Sequence, residues 1–298
     1  MDTFRKQRSI ILSGLALLFC ANVLVWLTVF DLNRPAILEV NFFDVGQGEA
    51  IFIEMPQGQQ ILIDAGRDSA ILEKLGKEMP FWDRTIDLVV LTHPEHDHLG
   101  GLIEVLKYYQ VKNVFLTGVN KKTAENQEWQ KQLEKENARI IIVSKGRKAV
   151  SGKAALEVIY PFEPLAKSFS VDSSDEKYED TNNFSVVSRL SFGKTSFLFT
   201  GDISKTIEKK LAEESNIDVD VLKISHHGSK NSSAEEFIRA VSPIAAIISA
   251  GKDNPYGHPH PETLETLKKF GIRILRTDID GDIKIITDGV NYEPKLNN

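Results

Sequence analysis

An apolar run, Leu88-Val89-Val90-Leu91-Thr92, empties into His93-Pro94-Glu95-His96-Asp97-His98 and is followed by Leu99-Gly100-Gly101. Three imidazoles and two carboxylates in such close succession are more than a packed core needs. They are side chains that bind cations or move protons. A strand-to-helix turn fans out alternate side chains, so His93 and Glu95 can face one pole while Asp97 and His98 face another. Two neighbouring divalent ions then become accessible to one short segment. Cys20 is the only cysteine, which excludes an internal disulfide and a multi-cysteine zinc site in a single copy. Any metal falls to His, Asp, Glu or Asn.

Other apolar runs end in similar chemistry. Gln60-Ile61-Leu62-Ile63 stops at Asp64, and Phe197-Leu198-Phe199-Thr200-Gly201 stops at Asp202. The two oxygens of a carboxylate can span two cations. Leu222-Lys223-Ile224-Ser225 leads into His226-His227-Gly228-Ser229, and Asn254-Pro255-Tyr256-Gly257 into His258-Pro259-His260-Pro261. Taken alone, Asp64 reads equally as a brace or a turn cap. Asn183 reads as a turn residue or a weak contact, and His258 as a loop histidine or a donor to a phosphate or leaving oxygen.

Taken in order, these segments resemble the metallo-β-lactamase fold, whose signature is His-x-His-x-Asp-His. Glu95 stands where most members place the second His. A carboxylate there is typical of the subgroup similar to the hydrolase domain of ComEC-type competence proteins. Asn41-Phe42-Phe43-Asp44-Val45-Gly46-Gln47-Gly48-Glu49, the Asn-x-Ser at Asn183 to Ser185, the His-His-Gly-Ser and the Tyr-Gly-His-Pro also match that subgroup, although Glu49 replaces its usual Asp. The resemblance spans residues 37 to 285. It implies a four-layer αββα sandwich of α/β class and a centre for two divalent ions, zinc or manganese. Its implied ligands are His93, Glu95 and Asn183 on one side and Asp97, His98 and His227 on the other, with Asp202 between them. It leaves His226 as neighbour or alternative to His227, sets Asp64 and Asp44 behind the ligands, and gives Asp97, Asp202 and His258 the catalytic roles.

The elements that must position these residues follow from patterning. Strands are expected at Ile37–Phe43, Ala50–Glu54, Gln60–Ile63, Leu88–Leu91, Ser196–Phe199, Val221–Ile224 and Ala245–Ser249, with helices at Ser69–Lys77, Gly101–Tyr109, Thr123–Lys135, Lys205–Glu214, Ala234–Val241 and Pro261–Phe270. Asp172 to Asp180 reads as a mobile acidic loop. Phe81-Trp82 and Trp129 read most simply as core.

The chain has 298 residues and a net charge of −6. Residues 1–34 carry Arg5, Lys6, Arg8 and Arg34 against Asp2 and Asp31, so the remainder is the more acidic part. That balance argues against a protein that coats nucleic acid nonspecifically, though not against a metal enzyme that cuts phosphodiesters. Ser9 to Phe30 contains no charged residue, and at ~1.5 Å per residue such a helix crosses a ~30 Å hydrocarbon core. A transmembrane anchor is expected, with residues 1–34 as cytoplasmic stub and span and 35–298 as an extracytoplasmic hydrolase domain. A cleaved signal peptide is the alternative. No second long apolar stretch occurs, so DNA transport is not implied. Three functions are carried: hydrolysis of DNA, single-stranded DNA included, at the outer membrane face; hydrolysis of envelope phosphodiesters such as phosphorylcholine or teichoic-acid units; and an inactive, metal-stabilised binding module. The expected partners are the phosphodiester substrate and the membrane; the sequence names no protein partner.

Overall fold

A computed structural model describes residues 2–32, 36–166, 180–214 and 217–296. The chain forms two units, Met1–Ala36 and Ile37–Asn298. The first unit is one helix, α1 (Asp2–Leu32), whose described side chains from residue 10 to 26 are exposed, Leu17 and Trp26 among them. Among the described residues no helix is long and apolar enough to cross a membrane. Most of the acidic run beginning at Asp172 lies outside the described residues.

The second unit stacks two sheets. In chain order the first contains β1 (Leu38–Phe42), β2 (Ile51–Glu54), β3 (Gln60–Ile63), β4 (Thr85–Val90), β5 (Gln110–Leu116) and β6 (Arg139–Ile142). The second contains β7 (Lys148–Ser151), β8 (Ala154–Tyr160), β9 (Val187–Phe192), β10 (Thr195–Phe199), β11 (Val221–Lys223), β12 (Ala245–Ile248) and β13 (Arg273–Arg276). Two late strands, β14 (Ile283–Thr287) and β15 (Tyr292–Leu296), return to the first sheet, giving the orders β15-β14-β1-β2-β3-β4-β5-β6 and β13-β12-β11-β10-β9-β8-β7.

Side chains alternate across a strand, and the packing follows that period. Ile61, Ile63, Leu88 and Val90 enter the core between the sheets, where Leu190, Phe197, Phe199 and Val221 meet them. Leu62 and Val89 face outward, against α2 (Ala70–Glu78), α3 (His96–Tyr108) and α4 (Ala124–Lys135), which contribute Leu75, Leu102 and Trp129. On the far side Leu198 and Leu222 pack with α5 (Lys205–Glu214), α6 (Glu235–Val241) and α7 (Pro261–Lys269). A short α8 (Thr277–Asp280) follows β13. The result is the expected αββα layering.

Trp129 is buried as expected, but Phe81 and Trp82 are 82% and 73% exposed and stack edge to face in the loop before β4. A second correction concerns the motif helix. It starts at His96 rather than Gly101, so Asp97 and His98 occupy its first turn and both glycines lie inside it. Close packing accounts for this: a Cβ on Gly100 would sit 2.0 Å from the Arg67 carbonyl oxygen, and one on Gly101 2.0 Å from that of Ala65.

Candidate metal centre

Parallel pairing aligns the carboxyl ends of β3, β4 and β5 in one sheet and of β10, β11 and β12 in the other, the edge where α/β folds place their sites. Asp64 follows β3, Thr92 and His93 follow β4, Asp202 follows β10, and His226-His227 follow β11 in a tight turn over Ser225–Gly228. Asp64, His226 and His227 have positive φ, near 50°, a conformation uncommon outside glycine and often found at functional sites.

Asp202 is the hub. Its Oδ2 lies 3.4 Å from His98 Nε2, 3.5 Å from His227 Nε2, 3.8 Å from His226 Nε2 and 4.0 Å from His93 Nε2. Asp97 Oδ2 is 3.4 Å from His227 Nε2. The far side of each principal ring is committed. His98 Nδ1 meets Asp64 Oδ2 at 2.7 Å, and Asp64 also accepts from the Thr92 amide (2.8 Å) and hydroxyl (2.6 Å). His227 Nδ1 donates to the Ser249 carbonyl at 2.9 Å. His93 Nδ1 faces the hydroxyls of Thr92 (3.0 Å) and Ser185 (3.3 Å), whose own hydrogens go to Asp64 and to the Asn182 carbonyl. His93 Nδ1 must therefore be the donor. In all three rings Nε2 is the nitrogen left to face the carboxylates, and it offers a lone pair to a cation in the neutral ring.

This donor set fits a divalent cation. Nε2 of His93, His98 and His227 and Oδ1 of Asp202 are buried without a hydrogen-bond partner, a costly arrangement unless a cation completes it. Among the described residues two overlapping groups have the spacing for an ion, His93/His98/Asp202 and Asp97/His98/His227. The charges agree. Burial alone pushes the Asp202 carboxyl up, yet His227 and His98 hold it well below the usual carboxylate range. Asp97 is likewise pulled down against burial by the nearby His227 and by His98. Burial disfavours a charged His98, but the Asp202 and Asp64 carboxylates drive it well up, and Asp202 and Asp97 do the same for His227. Protons on these rings supply the positive charge that an ion would replace. His93, buried and beside His98, falls to about 3 and stays neutral, as a ligand must.

The other expected residues are placed differently. Glu95 belongs to neither group: Lys121 Nζ holds both its oxygens at 2.7 Å and the Thr181 hydroxyl donates to it. Asn183 Oδ1 accepts from the Ser204 amide and its Nδ2 donates to Asp180; its neighbour Asn182 lines the cavity instead. Asp44 accepts from the Gly46 amide in its own turn and belongs to neither group. His96 is exposed. His226 is the outer of the two histidines, 27% exposed against 1% for His227. His258 lines the same cavity of about 410 Å³, with Tyr256 stacked on it. Burial, then the charges of His227 and His226, lower it to about 4, so it is neutral at pH 7. Of the residues that orient the ligand rings, Ser185 closes the Asn-x-Ser segment and Thr92 directly precedes His93, whereas Ser249, which contributes its backbone carbonyl, carries no signal in the sequence.

The chain belongs to the metallo-β-lactamase superfamily, whose model matches residues 43–252; its members are typically metal-dependent hydrolases. Among curated proteins it is 33% identical over 264 residues to ComE operon protein 3 of Bacillus subtilis, covering 83% of this chain and 32% of that protein. It is 28% identical over 273 residues to Recombination protein 2 of Haemophilus influenzae, covering 90% and 31%. The chain thus spans about a third of the length of these relatives, which are ComEC-like competence proteins. The metallo-β-lactamase fold protein YhfI from Bacillus subtilis superposes with a TM-score of 0.50 at 13% identity, over 80% of this chain and 96% of that one. CmlA, a diiron β-hydroxylase from Streptomyces venezuelae, gives 0.50 at 17%, over 80% and 52%. These two likenesses concern the fold alone.

Proposed function

We propose that this protein is a membrane-anchored phosphodiesterase that uses two divalent ions, zinc or manganese, to hydrolyse DNA, single-stranded DNA included, at the outer face of the membrane. The observation that carries the reading is the convergence of three orphaned Nε2 lone pairs and the Asp97 and Asp202 carboxylates at one strand-end edge. Asp97, His98 and His227 would hold one ion and His93 the other, with Asp202 shared. Bound there, a divalent ion acts as a Lewis acid on water and on the scissile phosphoryl group.

The chain's own residues supply the rest. Asp64, Ser249, Thr92 and Ser185 fix the ring orientations through the hydrogen bonds above, so little reorganisation is left for the reaction. Neutral His258 offers an N–H to a phosphate oxygen rather than a proton to a leaving group. Recombination in the name of the Haemophilus influenzae relative supports DNA as substrate. The uncharged run from Ser9 to Phe30, preceded by Arg5, Lys6 and Arg8, supports an anchor with the amino terminus in the cytoplasm.

One observation favours a smaller substrate. Glu95, Asp97, Asp180 and Asp202 all line the cavity, and carboxylates repel a polyanion unless cations offset them. The full-length protein in detergent, loaded with manganese or zinc, should be offered a single-stranded oligonucleotide and bis(p-nitrophenyl) phosphate at rising salt, with Asp202→Ala as control. Cleavage of both, lost in the variant, with oligonucleotide cleavage falling steeply with salt, is the expected result. Hydrolysis of the small diester alone supports an envelope phosphodiester. No turnover despite bound metal leaves an inactive module and overturns the proposal.

A further inference from the structure

The two halves of the centre are unequally built. His98 has one ring nitrogen to give, since Nδ1 is held by Asp64 at 2.7 Å, so it can serve one ion. If it joins Asp97 and His227, which lie 3.4 Å apart, that side has three protein ligands and one oxygen of Asp202. The other side is left with His93, whose Nε2 lies 4.0 Å from Asp202 Oδ2. Glu95 could complete it, but the Lys121 ammonium is bound to both Glu95 oxygens at 2.7 Å and the Thr181 hydroxyl donates to one of them. Lys121 is itself fixed: its carbonyl accepts from the Thr123 amide (2.9 Å) and from Asn126 Nδ2 (2.7 Å), at the amino end of α4. Glu95 and Lys121 are 26% and 35% exposed, so the pair sits at the cavity rim, where it is screened but not dissolved.

We propose, resting on the metal-centre reading above, that Lys121 acts as a built-in counter-cation for Glu95, so that the centre binds one ion tightly at Asp97/His98/Asp202/His227 and a second ion only weakly on the His93 side. A second ion must displace the ammonium from Glu95 before that carboxylate can ligate. Removing the lysine charge removes the competitor and leaves an uncompensated carboxylate in the cavity that Asp97 and Asp202 also line, which raises the affinity for a second cation there. The asymmetry belongs to this chain's own residues: a carboxylate at position 95, and a lysine whose backbone is clamped by the α4 cap.

The test is manganese binding to the metal-stripped full-length protein by titration calorimetry, with metal content after gel filtration as a second readout. Wild type should retain one ion per chain and bind a second at least ~10-fold more weakly. Lys121→Met should tighten the second ion by about 10-fold or more and leave the first unchanged, whereas Lys121→Arg should behave as wild type. Glu95→Gln placed on Lys121→Met should cancel the gain. Two equally tight ions in wild type, or an unchanged second ion in Lys121→Met with circular dichroism intact, would overturn the inference. If Asp97→Asn leaves the tight ion in place, the reading of the centre itself fails, and the two failures are told apart.

Discussion

Lys223 Nζ lies 2.5 Å from Glu49 Oε2, with both side chains fully buried. The pair joins the turn between β1 and β2 to the end of β11, just before the His226-His227 turn. Glu49 also donates its backbone N–H to the Asp97 carbonyl at 3.1 Å, so the ion pair reaches both flanks of the centre. Removing one partner strands a buried charge, and Lys223→Met is expected to cost ~3–5 kcal/mol. Glu49→Gln combined with Lys223→Met should cost less than the sum of the single changes. Urea denaturation of the four proteins checks this; strict additivity would show that the contact is not coupled.

Asp64 fixes the His98 tautomer. Asp64→Asn keeps the volume but can present an N–H where His98 needs an acceptor, and the tight ion should bind about 10–100-fold more weakly. Calorimetric titration with manganese is the measurement. Unchanged affinity would mean that Thr92, which also contacts His98 Nδ1 at 3.5 Å, suffices to orient the ring.

Glu208 lies fully buried beneath the start of α6 and accepts from the amides of Ser233 (2.8 Å) and Ala234 (2.7 Å). Burial outweighs these bonds and pushes its carboxyl up to about 7. The folded state therefore holds a proton that the unfolded chain has released, so this group's contribution is complete below the unfolded value of 4.5 and is lost as pH rises toward 7. The loss is of the order of 3 kcal/mol. Denaturation at pH 5 and pH 8 should show it in wild type, and the pH dependence should be smaller by that amount in Glu208→Gln.

The uncharged run in α1 makes a prediction independent of the chemistry. Full-length protein should stay with membranes after carbonate extraction, and protease added to cells with a permeabilised outer barrier should remove the hydrolase unit. A chain lacking residues 1–34 should be released. Recovery of the full-length protein in the soluble fraction would contradict the anchor.

The strand ends and their order were legible because apolar runs stopping at His93, Asp64, Asp202 and His227 are local patterns. Where side chains turn was not, because that depends on partners far away in sequence. Glu95 is claimed by Lys121, Asn183 by Ser204, and Asp44 by its own turn. The start of α3 departs from the pattern for a related reason: glycine ordinarily marks the outside of a helix, but Gly100 and Gly101 are inside because the backbone of residues 65–67 presses against them. Phe81 and Trp82 show the converse error, since aromatic character alone does not bury a loop.

The central claim is that Asp97, His98, Asp202 and His227 hold a catalytic divalent ion. The most direct test measures metal content and bis(p-nitrophenyl) phosphate hydrolysis together, for full-length wild type, Asp97→Asn and Asp202→Asn, each stripped with chelator and reloaded with manganese. Both variants should remain folded, lose the tight ion, and lose activity by at least ~100-fold, the scale for removing one electrostatic group from a site. Variants that keep both the ion and the activity would contradict the account.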